Sequence, residues 1–310
     1  MVARQSILHL ASTHSKWVLV CGLLVGIFIP PIADAVRPWV GYCIAILLFL
    51  AAFRIKPAEA LGKSSDLRGV LLFIAIFQVA LPCLLAIIFL LTDTVNPIYV
   101  ALLLVFSSAP ISASPSLTMI TGNDPAPSLR LLIVATALLP LTILLPLWLM
   151  PAFGDPEMIV WIAAKLFFII FAASMLAFAI RRFFVPEISK PKVKSIDGLT
   201  TIMMAVIVTG LMTGFGDAAI NRPFEIVVTF CVAFAANIGM QIITWHGLGF
   251  FKIGKSRAAY SISAGNRNLA IFLAALPLSV TDPILLFIAC YQIPMYLTPT
   301  LLGSLYDNKK

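Results

Sequence analysis

Apolar runs of about twenty residues alternate along the chain with short polar breaks, and the two-residue alternation of strands is absent. A helix needs about 20 mostly apolar residues to cross a hydrocarbon core about 30 Å thick. Ten stretches meet that length: 17–36, 38–53, 69–92, 97–121, 127–149, 157–180, 198–215, 223–247, 257–277 and 281–303. The pattern predicts an all-α membrane protein with ten transmembrane helices, and the missing alternation excludes an outer-membrane barrel. Ala33-Asp34-Ala35 has the form of a signal-peptide cleavage site after an apolar run. Cutting there would leave nine spans and spoil the symmetry described below, so the first run is read as a retained span.

Composition agrees with that reading. Of 310 residues, 61% are hydrophobic and 11% charged, with a mean hydropathy of +1.05; an ordinary soluble domain carries about 25% charged residues. So little polar surface excludes a soluble enzyme, a nucleic-acid binder and a disordered chain. The net charge of +8 then reports topology. With the N-terminus inside, 17 of the 21 Lys and Arg fall in inner segments, only Arg37 and Arg222 fall outside, and Lys165 and Arg267 lie within spans. The expected protein sits in a bacterial inner membrane with both termini in the cytoplasm. Cys21, Cys43, Cys83, Cys231 and Cys290 all lie in apolar stretches without CxxC spacing, and two of three histidines are near the N-terminus. Buried free thiols are expected, with no metal site and no cofactor.

The ten spans fall into two sets of five, residues 1–155 and 156–310. Because five is odd, the second set runs inverted through the membrane relative to the first. Pro140 and Pro146 in span five answer Pro294 and Pro299 in span ten. Spans four and nine are both interrupted by small polar residues, Ser107 to Ser116 and Ser261 to Asn268. Inverted repeats with matching broken helices point to a secondary transporter with a site near the midplane. Pro110 and Pro115 remove backbone donors and Gly265 weakens helix. Lipid cannot satisfy the groups so freed, which places these breaks against protein or a wet cavity.

Arg267 stands in the middle of span nine between Asn266 and Asn268. A central Arg costs about 2.5–3.5 kcal/mol on insertion scales. Two readings fit it: a fixed charge that binds an anion or replaces a coupling cation, and a structural Arg satisfied by carbonyls of the opposite broken helix. Lys165 lies close enough to a border to snorkel. Gln78, Asn237 and Gln241 read as interhelical hydrogen-bonding positions. No carboxylate lies deep in a span, Glu225 sits near a span end, and His246 is interfacial.

At the two broken spans the chain resembles the bile acid:sodium symporter family, over essentially its whole length. Ala109-Pro110, the Ser/Ala stretch and Gly122-Asn123-Asp124 are similar to the family's fourth span and its Gly-Asp turn. Gly265-Asn266-Arg267-Asn268-Leu269-Ala270 is similar to the ninth-span pattern, Gln78 matches a third-span Gln, and Tyr291-Gln292 take the place of a tenth-span His-Asn. The resemblance implies a panel domain from spans 1, 2, 6 and 7, and a core domain from spans 3–5 and 8–10 in which spans four and nine cross. It also marks departures. Ser263 stands where sodium-coupled members carry Glu, Arg267 where they carry Gln, and Pro115-Ser116 where they carry Ser-Asn. A guanidinium repels sodium in a low-dielectric cavity, so the fold carries over and the two sodium sites do not.

The sequence thus predicts a secondary carrier of a small or amphipathic organic anion working by alternating access. Its partners are that anion and membrane lipid, with sodium doubtful as coupling ion. The expected pathway residues are Gln78, Ser112, Ser114, Ser116, Ser263, Asn266, Arg267, Asn268, Tyr291 and Gln292. The alternatives are a sodium-coupled organic anion symporter and a non-transporting sensor or binding protein on a transporter scaffold. A membrane enzyme ranks last, since no span carries a metal motif or a nucleophile–base pair.

Overall fold

The computed structural model describes residues 7–54, 64–92, 96–153, 155–185, 188–251 and 256–307. Arg4, Lys56, Lys63, Lys252, Lys255, Lys309 and Lys310, which weigh in the orientation argument, lie outside the described residues. The helices are α1 (Ile7–Thr13), α2 (Ser15–Phe28), α3 (Pro30–Arg54), α4 (Leu67–Leu91), α5 (Pro97–Ser107), α6 (Ser114–Ile120), α7 (Ala126–Trp148), α8 (Pro156–Phe183), α9 (Pro191–Asn221), α10 (Pro223–Phe250), α11 (Arg257–Gly265) and α12 (Leu285–Tyr306). A 3-10 stretch, Leu269–Ala274, follows α11. Among the described residues the one non-helical pairing is an isolated bridge.

Seven of these helices (α3, α4, α7, α8, α9, α10 and α12) are long and apolar enough to cross a membrane, and eight spans result if α1 and α2, bent by 92°, count as one. The protein is therefore an integral membrane protein of α-helical class. Among the described residues ten full-length spans are not present. The stretch expected at 97–121 is split into α5 and α6, and that at 257–277 into α11 and the 3-10 stretch. The first expected span, 17–36, also ends early, at Ile29. Pro30 and Pro31 lack the N–H that would continue α2, and instead open α3 at the positions where a missing donor costs nothing.

The chain forms two compact units, each drawn from two separate stretches: residues 1–57 with 168–223, and 58–167 with 224–310. In the first unit α9 packs on α1, α2 and α3. Small residues set that approach. A Cβ on Gly22 would meet the Ala205 carbonyl oxygen at 2.7 Å, and one on Gly26 the Thr209 carbonyl oxygen at 2.6 Å. This Gly-x-x-x-Gly face lets the backbones of α2 and α9 touch, as membrane helices do where no hydrophobic force drives them together. Thr209 Oγ1 donates across the seam to the Gly22 carbonyl at 2.9 Å.

The second unit holds the interrupted helices. Val70, Phe73 and Ile74 of α4, Leu131 and Ala135 of α7, Tyr260 and Ala264 of α11, and Ala109 just past the end of α5 form one buried cluster. Two of its long helices carry a π-helical stretch, Ala75–Ala80 in α4 and Ala235–Gly239 in α10. The α6–α7 turn is made by Gly122 at φ 78°, a left-handed conformation that glycine tolerates. Asn123 Nδ2 fixes that turn by donating to the Tyr306 carbonyl at 2.9 Å.

Candidate functional site: a crossover capped by a buried arginine

The two helix breaks meet. Pro110 and Arg267 form an antiparallel bridge, flanked by Ile111 N–H to the Asn266 carbonyl (2.9 Å) and Asn268 N–H to the Ala109 carbonyl (2.8 Å). Ser108 is extended (φ −76°, ψ 159°), which ends α5, and Pro110 supplies no N–H of its own.

Arg267 is 1% exposed and its guanidinium serves three carbonyls, each stripped of its helical donor by a local break. Nε donates to Ala264 (3.0 Å); that carbonyl would accept from Asn268 in a continuing helix, but Asn268 N–H goes to Ala109. Nη1 donates to Ser108 (2.8 Å), past the end of α5. Nη2 reaches Phe77 at a longer 3.4 Å. In the π-helical stretch Leu81 N–H bonds to Ile76, and the next residue, Pro82, has no N–H, so the Phe77 carbonyl lacks a donor from its own helix. Phe73 places its ring 5.5 Å beneath the guanidinium, within cation–π range. Buried carbonyls must find donors, and here one side chain supplies three segments at once.

Two further carbonyls at the end of α11 are met as well. Gly265 accepts from Asn237 Nδ2 at 2.7 Å and from the Tyr291 hydroxyl; Asn266 accepts from Ile111. Behind them runs a buried polar relay. Gln241 Nε2 donates to Asn237 Oδ1 (2.8 Å) and Thr298 Oγ1 (3.0 Å), Asn266 Nδ2 donates to Thr298 Oγ1 (3.2 Å), and the Tyr306 hydroxyl donates to Gln241 Oε1 (3.1 Å). A Cβ on Gly265 would collide with the Asn237 carbonyl oxygen and press on Gln241 Cγ, so glycine is what lets α11 lie against α10.

Of the residues expected from sequence, Asn266, Arg267, Asn268 and Tyr291 converge on the crossover. Gln78 is fully buried beside it but turns to α7, donating to the Ala135 carbonyl (3.1 Å) and Thr142 Oγ1 (2.7 Å), while its Oε1 has no partner among the described residues. Ser263 pairs with Ser128 of α7 at 3.1 Å. Ser114 is buried with an unpartnered hydroxyl among the described residues, Ser112 and Ser116 are half-buried, and Gln292 is buried on α12. Lys165 lies over the Trp161 ring at 4.8 Å, away from the crossover. Sequence reasoning passed over Phe77. It placed Ser108 and Ala264 in the two broken stretches and allowed Arg267 to be satisfied by carbonyls of the opposite one, but gave neither residue a role of its own, since a backbone oxygen is not reported by a side-chain pattern. It also gave Thr298 no role, although a hydroxyl one residue before Pro299 was a visible signal.

Among the described residues no carboxylate pairs with Arg267, and no group of three or more His, Cys, Asp or Glu is placed to hold a metal. The crossover therefore carries one unneutralised positive charge in a low-dielectric interior, where a charge is felt far more strongly than in water. No family model matches the sequence, and no curated relative matches it either.

Proposed function

We propose that the protein is a secondary transporter for a small or amphipathic organic anion, built from two inverted five-span repeats whose broken fourth and ninth spans cross. The observation that carries this reading is the Pro110–Arg267 bridge, with its guanidinium donating to carbonyls of α4, α11 and the end of α5. Paired broken helices buried in protein are the arrangement that transporters use for a midplane site. The repeat is supported by three features that recur 154–160 residues apart: the π-helical stretches starting at Ala75 and Ala235, the bridge partners Pro110 and Arg267, and the prolines Pro140 and Pro294. In this reading spans 1, 2 and 7 with the second half of span 6 make the panel domain, and spans 3–5 and 8–10 the core domain. The compact units, 1–57 with 168–223 and 58–167 with 224–310, group spans 1, 2 and 7 as a panel would be grouped and part within span six.

Arg267 acts as a resident cation. A hard cation such as sodium binds carbonyl oxygens, and the guanidinium occupies three of them. Transport is therefore independent of sodium, and the standing charge favours an anionic substrate over a cation. The location is a bacterial inner membrane with both termini in the cytoplasm, as the distribution of Lys and Arg favours.

The test is reconstitution in liposomes, with labelled taurocholate and labelled pyruvate as an amphipathic and a small probe, in sodium and in choline medium. Accelerated exchange of one probe between loaded and external pools, equal in both media, is the expected result. A sodium requirement would overturn the role given to Arg267. Saturable binding of a probe without exchange would overturn the transporter itself in favour of a binding protein.

A further inference from the structure

Three helix ends of the first unit are tied into one polar rim. Arg181 Nη1, near the end of α8, donates to the Phe53 carbonyl near the end of α3 at 3.1 Å. The next residue of α3, Arg54, pairs with Asp197 early in α9 at 3.1 Å. These two links bring the exposed cations Arg182, Lys192 and Lys194 to the same rim, while the nearby carboxylate of Asp197 is already engaged by Arg54. The start of α9 adds the positive end of a long helix dipole.

An apolar track leads up to these charges. Phe168, Ala172, Met175, Ala179 and Arg182 are all exposed, and their spacings of four, three, four and three place them on one face of α8. From Phe168 to Arg182 the helix rises about 21 Å, enough to cross one leaflet of about 15 Å, half the hydrocarbon core. Phe183 and Phe184 are 74% and 79% exposed beside Arg182 and add apolar surface next to the charge. Topology asks only for cations on this side. It does not ask for three helix ends bound together beneath them, or for an apolar stripe that ends at one of them.

We infer that this rim is a binding site for an anionic phospholipid, with the phosphate held by Arg182, Lys192 and Lys194 and an acyl chain lying along the Phe168–Arg182 face. It is independent of the crossover and of the transport reading.

Native mass spectrometry of the full-length protein in mild detergent tests it, with phosphatidylglycerol and phosphatidylcholine as competing probes. The wild type retains phosphatidylglycerol selectively. Each cation near a membrane surface contributes about 1 kcal/mol, about fivefold, so R182Q/K192Q/K194Q lowers that selectivity by at least about tenfold. The charge-preserving R182K/K192R/K194R and the remote R37Q leave it intact. Equal retention of both lipids, or unchanged selectivity in the triple Gln variant, overturns the site. So does displacement of phosphatidylglycerol by an equal concentration of inorganic phosphate, which would mark an anion site with no use for the stripe. Should the triple variant fail to fold, wild-type selectivity measured against salt decides: it falls by about 0.5 M NaCl if charge holds the headgroup, and selectivity indifferent to salt overturns the proposal.

Discussion

Pro110 and Arg267 face each other across an antiparallel bridge in which the proline has no hydrogen to give and the arginine side chain gives three. The backbone bonds on either side come from their neighbours, Ile111 and Asn268. One residue opens the helix and the other closes the hydrogen-bond account of the opening.

Removing the guanidinium leaves the carbonyls of Ser108 and Ala264, and the more weakly held one of Phe77, without donors in an apolar surround. Each buried unsatisfied group costs about 1–3 kcal/mol. Arg267→Ala is expected to lower thermal stability in detergent by more than any single surface substitution. Arg267→Lys, a point charge without the planar fork, keeps the charge but not the three-way geometry. It is expected to leave a foldable protein and, if the protein carries anions as proposed, to lower exchange in liposomes by about tenfold or more. Exchange at the wild-type rate in Arg267→Lys would show that the geometry is dispensable.

At Gly265 the constraint is steric. Gly265→Ala drives a methyl into the Asn237 carbonyl oxygen, and overpacking of this kind costs about 1–3 kcal/mol. Gly303→Ala, where nothing lies within 4 Å of the added Cβ, is the matched control. Fluorescence-detected size exclusion after heating should separate the two, with only the first losing its monodisperse peak early.

The Gln241–Thr298 bond joins α10 to α12 at 3.0 Å in a fully buried setting. Hydrogen bonds between membrane helices average about 0.6 kcal/mol and reach about 1.7. A double-mutant cycle of Gln241→Leu and Thr298→Val, followed by steric-trap or denaturant unfolding, is expected to return a coupling inside that range. Strict additivity would mean that Asn237 and Tyr306 satisfy Gln241 without Thr298.

Cysteines replacing Ala109 and Asn268 in a background without the five native cysteines would face each other next to the bridge. Neighbouring antiparallel positions hold their Cα atoms about 4.5–5.5 Å apart, a separation that a disulfide spans. Oxidation is expected to cross-link the chain, read as a mobility shift after cleavage between α6 and α11. If the protein transports as proposed and the crossing moves as one rigid piece, the cross-linked protein still exchanges substrate; arrest of exchange would place a moving joint at the bridge itself.

Close packing of α2 on α9 gives the first unit its own prediction. Gly22→Ala and Gly26→Ala each push against an α9 carbonyl oxygen and are expected to lower thermal stability by about 1–3 kcal/mol apiece. Gly239→Ala, with open space at the added Cβ, should be neutral in the same assay.

Much of the fold was legible because membrane insertion writes itself into the sequence: length and apolarity alone gave α4, α7, α8, α10 and α12 within about four residues, and α3 and α9 with ends misplaced by six to eight. Hydropathy by itself ran through 97–121 and 257–277 without a stop, since it counts side chains and does not register where the backbone ceases to be helical. The prolines and Gly265 marked those breaks correctly. The edge between α2 and α3 was misplaced because apolarity runs on unbroken through Ile29, and only the Pro30-Pro31 pair signals the turn.

By itself the sequence determined that this chain lives in a bilayer, where its helices are interrupted, and that one permanent charge lies within an apolar stretch, because each of these is fixed by the solvation of residues taken in order. Only the tertiary structure decided which carbonyls receive that charge. Phe77 and Ser108 lie 190 and 159 residues from Arg267, and only Ala264, three residues away, is local; a backbone oxygen becomes an acceptor only when folding has taken its own donor away.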